Sequence, residues 1–255
     1  MEEKGDKTMT IPLIEFEPIP QEEEYVICYI DVLGTRNLTY TNNDIFKKIY
    51  ETYSFCVEVE SKTKMFGDLQ FKVFSDNILI AKKVEDNNSQ SVFVAYKKIV
   101  NFLKTFIPNF ICEGILLRGG ITFGRLSINN TIVWGSGLIE VVDIEEKFAI
   151  YPRIIVSDKL RKIFLDMERN TMFEEKFSCL FDIDGSMFVD YMPYGELPTA
   201  KKVLEESRKV IIEKISKETN QRTIQKYKWH ANYLKRACEI FNEIYFDIGE
   251  KINFE

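Results

Sequence analysis

Tyr25-Val26-Ile27-Cys28-Tyr29-Ile30-Asp31-Val32, closed by Leu33-Gly34, is the stretch on which the reading of this chain turns. It is apolar on both faces, as a central strand buried between two layers must be, and it ends on a carboxylate. A charge in that position is costly unless a cation or strong donors compensate it, so Asp31 is the first candidate for chemistry. Downstream, Asp44 reads as the N-cap of a helix with Ile45, Ile49, Tyr53, Cys56 and Val57 at helical spacing. Two short strands follow, Gln70–Phe74 and Asn77–Lys82, joined at Ser75-Asp76-Asn77, which has turn chemistry. A helix over Ser91–Phe106, stopping before Pro108, leads to a strand Ile115–Phe123. That strand carries Arg118-Gly119-Gly120, where glycines signal close backbone approach. Asn129-Asn130 turns the chain into Ile132–Trp134, and Gly135 opens a helix to about Phe148. Pro152 begins a strand, Arg153–Val156, and Asp158 reads as the cap of a further helix. This β-α-β-β-α-β order predicts an α+β fold, a ferredoxin-like (palm-like) antiparallel sheet with helices on one face.

The flanks differ in character. Residues 1 to 23 hold Pro12, Pro18, Pro20 and an acidic run, and read as an extended leader. Residues 24 to 198 carry the mixed α/β pattern and form the expected catalytic unit. From residue 199 to 255 the pattern is helical, with Ala200–Lys217 and Arg222–Phe246 separated by Thr219-Asn220, an αα-hairpin. Tyr227, Trp229, Tyr233 and Phe241 on its second helix read as packing residues.

Composition narrows the function. A net charge of −6 works against binding long nucleic acids, which need an excess of Lys and Arg, but leaves room for a local phosphate pocket. No run approaches the ~18 apolar residues of a membrane span, and the charged N-terminus lacks a secretory apolar region. A cytoplasmic location is therefore expected. Cys28, Cys56, Cys112, Cys179 and Cys238 are scattered and odd in number, as buried thiols in a reducing compartment are. With His230 the lone histidine, any metal here is held mainly by oxygen, which favours Mg²⁺, Mn²⁺ or Ca²⁺.

Asp76 supplies the second carboxylate. It sits in the link between two strands, and in a β-α-β-β unit the end of the first strand adjoins that link. Either aspartate alone reads as an ordinary turn residue. Together, without a histidine, they suit divalent ions that bridge phosphate oxygens and activate a hydroxyl for in-line attack. Two glances elsewhere add nothing to the site. Phe181-Asp182-Ile183-Asp184-Gly185 lacks the later ligands of a calcium loop and reads as a hairpin turn, and the glycines at 119, 120 and 124 lack dinucleotide-binding spacing.

Tyr29-Ile30-Asp31-Val32-Leu33-Gly34-Thr35 resembles the first metal motif of class III adenylyl and guanylyl cyclases, and Phe71-Lys72-Val73-Phe74-Ser75-Asp76 resembles their second. Leu117-Arg118-Gly119-Gly120-Ile121-Thr122-Phe123-Gly124 resembles their glycine-bearing strand. Trp134-Gly135 through Glu145, then Pro152-Arg153-Ile154-Ile155-Val156-Ser157, resembles their helix and closing strand. The resemblance covers roughly residues 24 to 165, in family order. It implies two Mg²⁺ or Mn²⁺ ions on Asp31, Asp76 and the Val32 carbonyl, with backbone donors at Leu33, Gly34, Thr35 and Arg36 around the phosphates of a nucleoside triphosphate. It also implies a homodimer, attack of a ribose 3′-hydroxyl on the α-phosphate, and base reading by Lys72. The departures are in the other half of the site. Where the family has Asn and Arg on the helix this chain has Ile139 and Asp143, and its second base-reading position is Ile132. Arg118, Arg125 and Arg153 are the candidate substitutes for the missing cation.

The mixture also resembles the divergent bacterial cyclases of Pycsar antiphage defence, which make cyclic pyrimidine nucleotides. The expected function is thus conversion of a nucleoside triphosphate, UTP by preference, to a 3′,5′-cyclic nucleotide. The alternatives are an inactive cyclase-fold module that binds a nucleotide or a protein, and a palm-type oligonucleotide synthase.

Overall fold

The computed structural model describes residues 21–34, 43–167 and 177–245. Strand β1 (Glu23–Val32) lies at the heart of the sheet, antiparallel to β3 (Asn77–Lys83) on one side and to β4 (Leu117–Ile128) on the other. Side chains alternate across a strand. Val26, Cys28, Ile30 and Val32 therefore enter the main core, while Tyr25 and Ile27 enter a smaller cluster on the opposite face. Tyr29 and Asp31 continue that second row. Strand β2 (Gln70–Phe74) pairs with β3 so that Phe74 faces Asn77, which makes Ser75-Asp76 a two-residue hairpin loop. Ser75 has φ of +59°, a left-handed conformation that costs a non-glycine residue roughly 1 kcal/mol or more.

The order β2-β3-β1-β4 is the ferredoxin-like arrangement expected from the sequence. The sheet continues through β6 (Ile154–Val156), parallel to β4, and through the antiparallel hairpin of β7 (Cys179–Phe181) and β8 (Met187–Val189). Strand β5 (Val133–Trp134) pairs with the end of β4. Among the described residues the helices are α1 (Asn43–Thr63), α2 (Ser89–Cys112), α3 (Ser136–Phe148), α4 (Asp158–Met167), α5 (Leu197–Lys217) and α6 (Gln221–Ile244).

Helix α2 is the spine of the main core, burying Tyr96, Ile99, Phe102, Phe106 and Phe110. It continues past Pro108, where the sequence pattern predicts a stop, to Cys112. Phe106 and Phe110 both lie on its buried face with ring centroids 4.8 Å apart, and that burial outweighs the ~3 kcal/mol an internal proline costs. One cap also differs from expectation. Ser157 caps α4, its Oγ accepting from the Leu160 N–H at 3.2 Å, and Asp158 is already the first helical residue. Asn220 caps α6 through the Arg222 and Thr223 N–H groups. Helix α5 packs on α2, and Ala200, Leu204, Leu234 and Phe241 share one core with Val26 and Ile30, so the hairpin is built into the body of the protein.

Helix α3, the helix expected after Gly135, packs on the opposite face of the sheet, where Val141 meets Ile27, Leu79 and Leu126. The glycines of β4 exist for it. A Cβ on Gly124 would lie 2.9 Å from the Gly137 Cα of α3, and one on Gly120 would lie 2.7 Å from Ile144 Cγ2. Only glycine lets this helix approach so closely.

Candidate active site

The β1–β4 register places Asp31 directly opposite Arg118. Arg118 Nε donates to Asp31 Oδ2 at 3.0 Å, a second guanidinium nitrogen lies 2.8 Å from Glu145 Oε1, and the third donates to the Ala149 carbonyl at 3.4 Å. Glu145 reaches this point because it continues the buried stripe Gly137–Val141 of α3 at helical spacing, and its side chain is only 5% exposed. The hairpin loop closes in from the other side. Asn77 faces Asp31 across β1–β3, and the Asp76 carbonyl accepts from the Val32 N–H at 3.2 Å. The two aspartates are thus held at one corner of the sheet.

The electrostatics follow from burial. Asp31 is held above the ordinary carboxylate range by desolvation, a shift that Arg118 opposes and Asp76 reinforces. Glu145 is raised for the same first reason, with Arg118 opposing and Asp31 reinforcing. The Tyr29 phenol is pushed up to about 12, by burial and then by Glu145, Asp31 and Asp76. Among the described residues Arg118 stands between two of these carboxyl groups, Asp31 and Glu145, with Asp76 close enough to raise Asp31 further. Among the described residues Lys226 of α6 also feels this corner: its ammonium is disfavoured by burial and then by Arg118, and favoured by Asp31.

The other residues singled out from the sequence fall in different places. Lys72 is on the same face as Asp31, two strands across the sheet through Leu79 to Tyr29 and one same-face residue along from there, and its Nζ donates to the Asn130 carbonyl at 3.1 Å. That carbonyl belongs to the turn in which Asn129 Oδ1 accepts from the Ile132 N–H at 2.9 Å, so Lys72 and Ile132 share one neighbourhood. Gly34 has φ of +84°, and Thr35 and Arg36 lie outside the described residues.

Three expectations need correction. The Leu33 N–H donates to the Leu116 carbonyl at 2.8 Å, so it serves the fold and not a phosphate. Arg125 faces Glu24 at the other end of β1, ~23 Å along the strand from Asp31, and pairs with Glu22. Arg153 is an internal strut. Its side chain is 1% exposed, pairs with Asp182 and Asp184, and lies over the Tyr151 and Trp229 rings at 5.6 and 5.9 Å. Asp184 is drawn down to about 2, first by Arg153. Residues 182 to 185 form the β7–β8 turn, as the sequence suggested. Ile139 is exposed, and Asp143 pairs with Lys147 at 2.8 Å, both away from the buried stripe that carries Glu145.

Sequence reasoning missed Glu145 and Lys226. Glu145 had a signal, an acid at a stripe position of an amphipathic helix. Lys226 had none, since one lysine on a lysine-rich helix looks like another.

Among the described residues no three His, Cys, Asp or Glu side chains converge as a metal cage. No helix among them is long and apolar enough to cross a membrane. No family model matches the sequence, and no curated protein matches it. Solved structures similar to this chain include the monomeric guanylyl cyclase domain of the RhoGC fusion protein from the aquatic fungus Blastocladiella emersonii, at 12% identity and TM-score 0.47, over 67% of this chain and 96% of that one. The guanylate cyclase domain of RhGC from Catenaria anguillulae, in complex with GTP, gives 13% and 0.45 over 66% and 95%. The adenylyl cyclase CyaB from P. aeruginosa gives 11% and 0.44 over 66% and 93%. All three are nucleotide cyclases.

Proposed function

We propose that the chain is a metal-dependent nucleotidyl cyclase that converts a nucleoside triphosphate, UTP by preference, to a 3′,5′-cyclic nucleotide and pyrophosphate. The observation that carries this reading is the meeting of Asp31 and Asp76 at one corner of the sheet, the first raised by burial and by the second. The donor set fits a divalent ion shared with a substrate. One or two carboxylates without a full protein cage is how Mg²⁺ is held when phosphates complete its shell. Asp31, Asp76 and the Val32 carbonyl would hold two such ions, which when bound neutralise phosphate charge and favour ionisation of the attacking hydroxyl. Arg118, oriented by Glu145 and the Ala149 carbonyl, is the chain's own cation for the phosphoryl group undergoing transfer.

Lys72 can only donate, so it suits a base that presents a carbonyl oxygen in the place now taken by Asn130. Ile132 accepts nothing. An exocyclic amine left unpaired against it costs about 1–3 kcal/mol, which disfavours adenine and cytosine relative to uracil. A homodimer would cover the 46%, 69% and 62% exposed Ile132, Trp134 and Ile139. A role as an antiphage signal rests on the motif resemblance alone.

The test is incubation of the full chain with each of the four triphosphates and Mn²⁺, product identification by mass, and kcat/KM for each base. A cyclic monophosphate with UTP preferred is expected. A clear preference for ATP would refute the reading of Lys72 and Ile132. One observation favours the inactive-module alternative: Ile139 and the Lys147-paired Asp143 stand where the family has its catalytic Asn and Arg. That alternative gives binding without product, and an oligonucleotide synthase gives products longer than one nucleotide.

A further inference from the structure

Lys97 and Lys104 stand seven residues apart on α2, nearly two turns, in one row with the buried Val100. Their side chains end at one point. Lys97 Nζ and Lys104 Nζ each donate to Ser178 Oγ at 3.1 Å, just before β7 begins. Ser178 is 7% exposed and has φ of +49°, a left-handed conformation that a non-glycine residue keeps only under constraint. Its carbonyl accepts from the Asp190 N–H at 2.9 Å, which ties it to the segment after β8. The cluster is on the α2 side of the sheet, the face opposite to α3 and the Asp31 row.

Hydrogen-bond donors are in excess here. An ammonium offers three hydrogens, and a hydroxyl offers one hydrogen and two lone pairs. The two lysines take both lone pairs of Ser178, so its own hydrogen has no acceptor among the described residues. Among the same residues Lys104 makes no other hydrogen bond and has no carboxylate within ion-pair distance, which leaves two of its three hydrogens over. Lys147 and Lys159, by contrast, are matched with Asp143 and Glu140. Asp190 attracts Lys104 from farther off, but its carboxylate already accepts from Tyr233 Oη at 2.7 Å and from the Met192 N–H at 3.2 Å. Sharing one oxygen, the two ammonium groups are no more than about 6 Å apart, inside the screening length of about 8 Å at physiological salt. Burial disfavours both, and Lys104 further disfavours Lys97.

We propose that Lys97, Lys104 and Ser178 form a binding site for a tetrahedral oxyanion of the phosphate class, remote from the Asp31 corner. A dianion with three acceptor oxygens matches two positive charges and three donor groups. A carboxylate, with two oxygens and one charge, matches neither. The bound anion would join α2 to the β7–β8 end of the sheet, because Ser178 is held by the segments on either side of it.

The test is calorimetric binding and thermal unfolding of the full chain, without divalent metal, for wild type, K104M, K104R and S178A. The probes are inorganic phosphate, glycerol 3-phosphate and, at matched ionic strength, chloride. Wild type is expected to bind phosphate saturably and to melt at a higher temperature with it. K104M keeps the aliphatic stem and removes the charge. It should weaken phosphate about tenfold to a hundredfold, the worth of one charged hydrogen bond, and should melt no lower than wild type without phosphate, because a repulsion is gone. K104R should recover most of the affinity, and S178A should lose several-fold. R118M, which removes the cation of the candidate active site, should bind phosphate as wild type does. Tighter binding of phosphate than of the monoester assigns the free ion, and the reverse assigns a phosphoryl group on a larger molecule; either upholds the site. No saturable binding by wild type, equal binding by K104M, loss in R118M instead, or equal protection by chloride overturns the proposal. A K104M protein that melts lower and binds phosphate normally would make the two lysines struts for the Ser178 turn, which overturns it as well.

Discussion

His230 is fully buried where α6 meets the segment after β8, and acid should unfold the protein through it. Its Nε2 lies 3.2 Å from Tyr191 Oη, and its Nδ1 has no hydrogen-bond partner among the described residues. Burial pulls its pKa down to about 3 from an ordinary value of 6.5. The folded state therefore keeps the ring neutral while the unfolded chain takes up a proton below about pH 6.5. The sign is that of a depressed base, so its contribution is intact above about pH 6.5 and is lost as pH falls toward about 3. Between about pH 7.5 and about pH 5 the loss is about 2 kcal/mol, from roughly 1.4 kcal/mol per pH unit over the window in which only the unfolded state titrates. Asp190, buried nearby and raised by desolvation, acts the other way, since its contribution fades as pH rises above about 4. The assay is urea unfolding at the two pH values for wild type and H230Q, which keeps a partner for Tyr191 and cannot titrate. Asp190 is common to both proteins, so the difference between their slopes isolates His230. Parallel loss of stability in the two proteins would refute the argument.

D76N should abolish pyrophosphate release and leave the melting temperature unchanged or raised, because it removes one of two clustered carboxylates; retention of turnover would remove Asp76 from the site. R153M should destabilise by about 3–5 kcal/mol in chemical denaturation, since it strands the largely buried Asp182 without its counter-ion. A folded R153M that loses only nucleotide affinity would restore Arg153 as a substrate residue. G124A should cost about 1–3 kcal/mol, because its methyl would meet the Gly137 backbone and not a yielding side chain; a neutral result would mean that α3 shifts freely on the sheet.

The elements were legible wherever one physical signal dominated. The unbroken apolar run of β1 could only be a central strand, and Ser75-Asp76 could only be a turn between two β-rich runs. The errors fell where tertiary burial overrode a local rule. Pro108 predicts a helix end, yet the row Phe102, Phe106, Phe110 continues past it at helical spacing and carries the helix to Cys112. Ser157 and Asp158 are both good caps, and the closing strand, which ends at Val156, leaves Ser157 at the cap position. The glycines of β4 were legible as a close approach, but not what approaches, because α3 lies on a face that the sequence pattern had left uncovered.

The site was legible in proportion to how locally each residue is placed. Asp31 and Asp76 are fixed by one strand end and one tight turn, so chain order alone brings them together. Arg118 needs more. It faces Asp31 only in this β1–β4 register, and a slip of one residue would send it into the main core. What pins the register is the set of glycines, since α3 can seat on β4 only with Gly120 and Gly124 on its side. The same residues that read as a site motif are therefore the packing condition that aims Arg118. Arg125 and Arg153 carried equal weight in the sequence and differ only in what that register and the β7–β8 turn place beside them: Glu22 at the far end of β1 for one, Asp182 and Asp184 for the other. Lys226 lies beyond this logic, because its position depends on the docking of a whole helix through Tyr227 and Trp229.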